Sequence, residues 1–238
     1  MARGSLRSSN RARKTVLWSA GLGGIVSLLV SAGPGDPTQL AAAGWLSPGR
    51  TAQAQDPGGP LRYRVVAERS EARYRVREQL VGLSFPNDAV GTTGAVEGGI
   101  ALDAQGRVLP AGSRVAVDLR TMRSDEARRD NYLRRNTLET DRYPLAVFVP
   151  VEARGLRVPL PQAGTAAFEL IGDLTVRDVT RRVTWEATAT FAGQEVSVRA
   201  KTAFRFGDFG LRVPRVSVVL SVEDDIRLEI DLLLRRGS

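Results

Sequence analysis

The sequence predicts an all-β protein, an extended eight-stranded antiparallel barrel with one short helix capping an end. Three observations carry that prediction. From Leu61 onward the apolar residues recur mainly at every second position, the period of a strand with one buried face. The links between the first runs are too short for helical crossovers, so neighbouring strands must run antiparallel. Eight or nine such runs follow one another. A sheet of that size curls, and closing it removes the exposed edges.

Composition narrows the function classes. Among 238 residues, 42% are apolar, enough for a core, and there is no cysteine and no histidine. Thiol nucleophiles, disulfides, Ser-His-Asp triads and the commonest zinc sites are thereby excluded. No Asp-rich loop of the calcium-binding type occurs, so no metal site is expected. The net charge of +8 is uneven: residues 1–54 contribute +5 and the rest only +3. In the body the two signs are mixed along the chain, which is not the footprint of a nucleic-acid binder.

The N-terminus reads as an export signal. Residues 1–14 are basic, and the 18 residues from Thr15 to Ala32 carry no charge. A basic segment, an apolar run and small residues at Val30-Ser31-Ala32 or Ala52-Gln53-Ala54 make the layout of a secretory leader. The run is also near the lower limit of a membrane span, so residues 1–32 are a signal peptide or a membrane anchor. Either places the body outside the cytoplasm, periplasmic or extracellular. Residues 33–60, rich in Gly, Pro and Ala, read as a linker, and residues 61–236 as the barrel domain.

The strands follow in order. Tyr63, Val65 and Ala67, then Ser70, Ala72, Tyr74 and Val76, alternate with charged residues. Leu80 to Asp88 reads as a loop. Val96, Gly98, Ile100 and Leu102 resume the alternation and end in the turn Asp103-Ala104-Gln105-Gly106. Val115, Val117 and Leu119 form the next run. Glu126 to Leu138 breaks the pattern and predicts the helix, started at Ser124-Asp125-Glu126. A strand through Ala146 and Phe148 follows, and then a long hairpin, Ala166 to Val176 and Val183 to Phe191, turning at Arg177-Asp178. Val196 to Phe204 is one more run. Two final runs, Val216 to Val222 and Ile226 to Leu234, are joined at Glu223-Asp224-Asp225.

Four pieces of this chain, in order, resemble one known family. They are Glu68-Arg69-Ser70 before the alternating strand, Arg129-Asp130-x-x-Leu133 with Tyr143-Pro144 and Phe148, the Gly172–Val183 hairpin, and Asp208-Phe209-Gly210-Leu211. Together they are similar to the YceI-like family of polyisoprenoid-binding, exported barrels. The resemblance implies a lipocalin-like architecture holding an isoprenoid chain, isoprenoid quinone or other amphiphilic lipid as ligand, with no cofactor besides. It implies a carrier and not an enzyme, and leaves room for transient membrane contact and for a homodimer. Two histidines common in the family's first strand are replaced by Arg69 and Glu78, and the loop 154–165 is long.

An eight-stranded barrel has room for side chains or for one ligand. The inward faces name the candidate lining: Tyr74, Val76, Val96, Ile100, Val117, Phe148, Leu174, Trp185, Ala187 and Phe204. Small inward residues such as Ala72, Gly98, Ala189 and Ala200 favour an open interior. Arg129, Asp130 and Arg177 are the polar candidates, either contacting a head group at the mouth or forming an Arg-Asp clamp between helix and hairpin. The competing expectation is a filled all-β module of the cell envelope, with exposed apolar patches and no cavity. No carboxylate pair sits in a setting suited to catalysis.

Overall fold

A computed structural model describes residues 59–82, 84–214 and 219–237. The leader and nearly all of the linker expected from the sequence lie outside these residues.

Eleven strands form one antiparallel sheet: β1 (Leu61–Val65), β2 (Glu71–Leu80), β3 (Asn87–Thr93), β4 (Val96–Leu102), β5 (Arg114–Asp118), β6 (Arg123–Ser124), β7 (Leu145–Arg154), β8 (Ala163–Val176), β9 (Val179–Ala192), β10 (Glu195–Phe204) and β11 (Val219–Arg236). Eight of them close a ring in the order β1-β4-β5-β7-β8-β9-β10-β11, with β11 pairing back onto β1. The other three extend the first passages: β2 pairs with β11, β3 with β2, and β6 with β3. The chain thus makes eight up-and-down passages, three of them bent. Short connections between strands that neighbour in sequence make this the expected topology.

The first bend is a single 3-10 turn at Ala67–Arg69. There the first passage breaks its ladder with β11, and Ser70 mends it: its Oγ donates to the Val66 carbonyl and accepts from the Leu233 amide. Ser70 is buried because a hydroxyl there satisfies both groups.

The segment Asn87–Thr93, expected as loop and silent sequence, is strand β3. Its Gly91, Thr92 and Thr93 carry no apolar alternation, so periodicity misses it. Gly91 lies under the Tyr74 ring, which an added Cβ would strike. Residues 216–218 of the expected penultimate run lie outside the described residues; from Val219 the two last runs are one strand, β11, with Glu223-Asp224-Asp225 absorbed as a bulge against β2 between Val222 and Ile226. Asp224 turns aside there and accepts from the Phe206 amide. The helix is shorter than expected. Helix α1 spans Ala127–Tyr132, capped by the Glu126 carboxylate on the Arg128 amide, and a wider π turn carries on over Leu133–Thr137.

Alternation sorts the two faces. Outside, charges pair across strands, as in Arg73 with Asp231, Arg75 with Glu229, and Arg182 with Asp173. Inside are two apolar clusters. One fills the end of the barrel near the β9–β10 turn, with Tyr63, Leu102, Phe191, Val196 and Leu234. The other, with Phe148, Leu174, Trp185, Ala200, Phe206 and Ile226, surrounds the upper half.

Candidate functional site

Above the filled end the interior is hollow. The cavity offers about 170 Å³ to the centre of a water-sized sphere. At about 30 Å³ per water in the liquid, that is room for several waters. Its walls are apolar side chains from β2 and from seven of the eight ring strands, among them Ala72, Val115, Leu170, Leu174, Ala200, Leu228 and Leu232. Arg73 and Glu229 also border it, but their charges pair with each other and with Asp231 and Arg75 on the other face of the sheet.

Of the residues expected to line it, Tyr74, Val76, Ile100, Val117, Phe148, Leu174, Trp185 and Phe204 do so. Val96 and Ala187 do not. Val96 is 1% exposed in the cluster with Tyr63 and Phe191, although its cross-strand partner Val117 lines the cavity. Ala187 is 4% exposed in the cluster with Trp185 and Phe148, while its cross-strand partner Ala200 lines the cavity. Alternation places both side chains inward; it does not tell which inward side chains reach the hollow. It also misses the closing end, where Met122 just before β6, Leu133 and Leu138 at the helical segment, and Phe206 and Leu211 border the cavity. The signal for these was in the Arg129–Phe148 and Asp208–Leu211 pieces, read as polar or turn elements.

The closing end is held by charge. Arg129 donates to Glu78 at 2.6 Å and to Asp125 at 2.6 Å, which ties α1 to β2. Burial alone would lower the Arg129 pKa, and the hydrogen bonds and charges of Asp125 and Glu78 more than offset it, so the guanidinium stays above its ordinary value. The Asp125 carboxylate is held below the usual range by the hydrogen bond from Arg129. Asp130 does not pair with an arginine. It is buried and accepts from the Ser124 amide and hydroxyl, which fixes the start of the helical segment to β6. Arg177, at the turn of the β8–β9 hairpin with φ 57, pairs with Glu139 at 2.6 Å and lies over the Tyr143 ring. The expected single Arg-Asp clamp is therefore two separate clamps, Arg129 to Glu78 and Arg177 to Glu139. Sequence reasoning missed Glu78 and Glu139 as partners because each is far along the chain from its arginine.

Next to these clamps the Tyr74 hydroxyl is buried. Ser124 is its polar neighbour, yet no hydrogen bond of good geometry closes among the described residues. Desolvation by burial pushes its pKa up to about 12. Trp185 Nε1 is likewise buried without a partner among the described residues, its ring edge-on to Phe148 at 5.7 Å.

Fold and cavity define a class: a closed up-and-down β-barrel with an apolar interior, sealed at one end by packing and at the other by a short helical segment. The chain belongs to the YceI-like domain family, whose model matches residues 63–234. A UPF0312 protein of Pseudomonas putida is 30% identical over 114 residues, 44% of this chain and 56% of that relative. A UPF0312 protein of Pseudomonas fluorescens is 30% identical over 129 residues, 50% of this chain and 63% of the relative. The chain thus spans little more than half the length of the curated relatives it matches. Among solved structures, a polyisoprenoid binding domain from Saccharophagus degradans, implicated in plant cell wall breakdown, superposes with a TM-score of 0.59 at 10% identity, covering 74% of this chain and 98% of that one. BcnA of Burkholderia cenocepacia does so with a TM-score of 0.52 at 15% identity, covering 71% and 98%. At such identities these two share the fold.

Proposed function

We propose that this protein is an exported, non-enzymatic carrier that holds a long apolar ligand, an isoprenoid chain, isoprenoid quinone or similar lipid, inside the barrel. The observation that carries the reading is the apolar cavity of about 170 Å³ in a barrel otherwise packed shut. Burying a methylene there contributes about 0.8 kcal/mol and demands no polar partner, so chain length alone supplies affinity. Family membership and the relative described as polyisoprenoid binding support the same ligand class. The uncharged run Thr15–Ala32 behind a basic segment supports export, to the periplasm or beyond. The ionisable groups at the closing end are engaged in holding elements together, which supports a binding role over catalysis.

The test is calorimetric titration of the full-length chain with polyprenyl alcohols of increasing length. Affinity rises roughly fourfold per buried methylene until the cavity is full, then levels off. Ala200→Phe, which fills part of the space from a wall residue, makes it level off at a shorter chain. Absence of binding, or affinity without length dependence, overturns the carrier reading and favours a filled envelope module.

A further inference from the structure

We propose that the end of the barrel carrying the β2–β3 turn docks on a phospholipid bilayer. The inference concerns the outer surface and stands whether or not the cavity takes a lipid.

Four large apolar side chains are prominently exposed among the described residues, and three of them meet at this one end. Val81, 58% exposed, and Phe85, 80% exposed, flank the β2–β3 turn. Leu220, 65% exposed, stands beside them at the start of β11, where the neighbouring Val219 pairs with Leu80. A turn could have been closed with polar residues at no structural cost; Phe85 is instead left 80% exposed. The same end holds α1, tied to β2 through Glu78 only two residues before that strand ends. On the helical segment Arg128 and Arg135 are exposed and form no ion pair among the described residues.

The size of the patch selects the occupant. Three side chains at these exposures present on the order of 400 Å², about half of what each partner of a stable protein complex buries. A bilayer needs no such area and no complementary shape. Its acyl boundary accepts Phe85, Val81 and Leu220, and its phosphates accept guanidinium groups. The tip lies at the end of the barrel where the cavity is closed by the helical segment, so docking brings that segment to the lipid surface.

The chain has no cysteine, so single labels are clean. Phe85→Cys in the full-length chain is labelled with an environment-sensitive fluorophore, and Gln194→Cys, in the β9–β10 turn at the opposite end, is the control. Vesicles of phosphatidylcholine mixed with phosphatidylglycerol are added. The label at 85 shifts to the blue and the label at 194 does not. Val81→Ser with Leu220→Ser raises the lipid concentration at half-shift roughly tenfold. Arg128→Glu with Arg135→Glu raises it at least as much, since each arginine near the surface is worth about fivefold. All four positions are exposed, and unchanged thermal midpoints verify that the variants fold. Residues 15–32 inserting into the vesicle would carry both labels alike, so equal shifts at 85 and 194 overturn the proposal. So do no shift at 85, a shift indifferent to the Val81 and Leu220 changes, and a shift at 85 that arises without vesicles as protein concentration rises, which would make the occupant a second copy.

Discussion

The Tyr74 ring covers Gly91 and borders the cavity, while its hydroxyl sits buried beside the clamp of Arg129 and Glu78. With a folded pKa of about 12 against 10 for an exposed tyrosine, the folded state keeps its proton longer than the unfolded state. Stability from this difference is full below pH 10 and is lost as pH rises from 10 through 12. Tyr74→Phe removes the linkage. Between those pH values wild type loses roughly 2–3 kcal/mol relative to the variant, read from denaturant unfolding. Parallel loss in both proteins would contradict the burial of the hydroxyl. At neutral pH the variant is as stable as wild type or more so, since an unpartnered buried hydroxyl is given up. Arg129→Ala leaves Glu78, 7% exposed, without its cation, and lowers stability by roughly 3 kcal/mol in the same assay. At this scale the sequence was readable in part. Arg129, Asp130 and Arg177 stood out as polar residues among apolar runs, but their partners are set by tertiary contact. Glu78 falls on the inward face of its strand, in line with Tyr74 and Val76, where a carboxylate calls for a buried partner; only the helix above it shows that the partner is Arg129.

Gly172 shows how an element fixes a residue. It lies opposite Pro150 on β7, next to a bulge that leaves Val151 out of register between Pro150 and Glu152. A Cβ at Gly172 would strike the Val149 carbonyl and the Phe148 ring. Gly172→Ala therefore costs roughly 2–3 kcal/mol, measured as a lower midpoint of thermal or urea unfolding. An unchanged midpoint would mean that β7 can move away. The hairpin that contains Gly172 was legible because its two arms alternate over long stretches and break only at Arg177-Asp178. Strand β3 was not, since it is built of small and polar residues whose place is dictated by the Tyr74 ring. The bulge in β11 was taken for a turn, because three consecutive acidic residues read as solvent-facing whether the strand ends or merely bends. Element type came from pattern; the bends came from packing.

Across the molecule, the four sequence pieces that resemble the family converge on one task. Leu133 and Phe148 from the second piece, Leu174 from the third and Leu211 from the fourth border the cavity, while Ser70 of the first mends the ladder where the first passage bends. The barrel was legible from strand number and alternation. Where it is hollow was not, because inward-facing positions look alike in sequence at every level of a barrel. The closure seen in β11 pairing with β1 leaves one packed end and one end shut by a small helical segment on two charged clamps. The proposed carrier function has the ligand enter from the helical side, and its central claim is that the ligand is an apolar chain. Native mass spectrometry of the protein, exported and purified without detergent, tests this most directly. The account predicts a one-to-one adduct whose extracted species is an isoprenoid or comparable lipid. A clean apo mass, with no adduct after incubation with polyprenyl lipids or quinones, would contradict it.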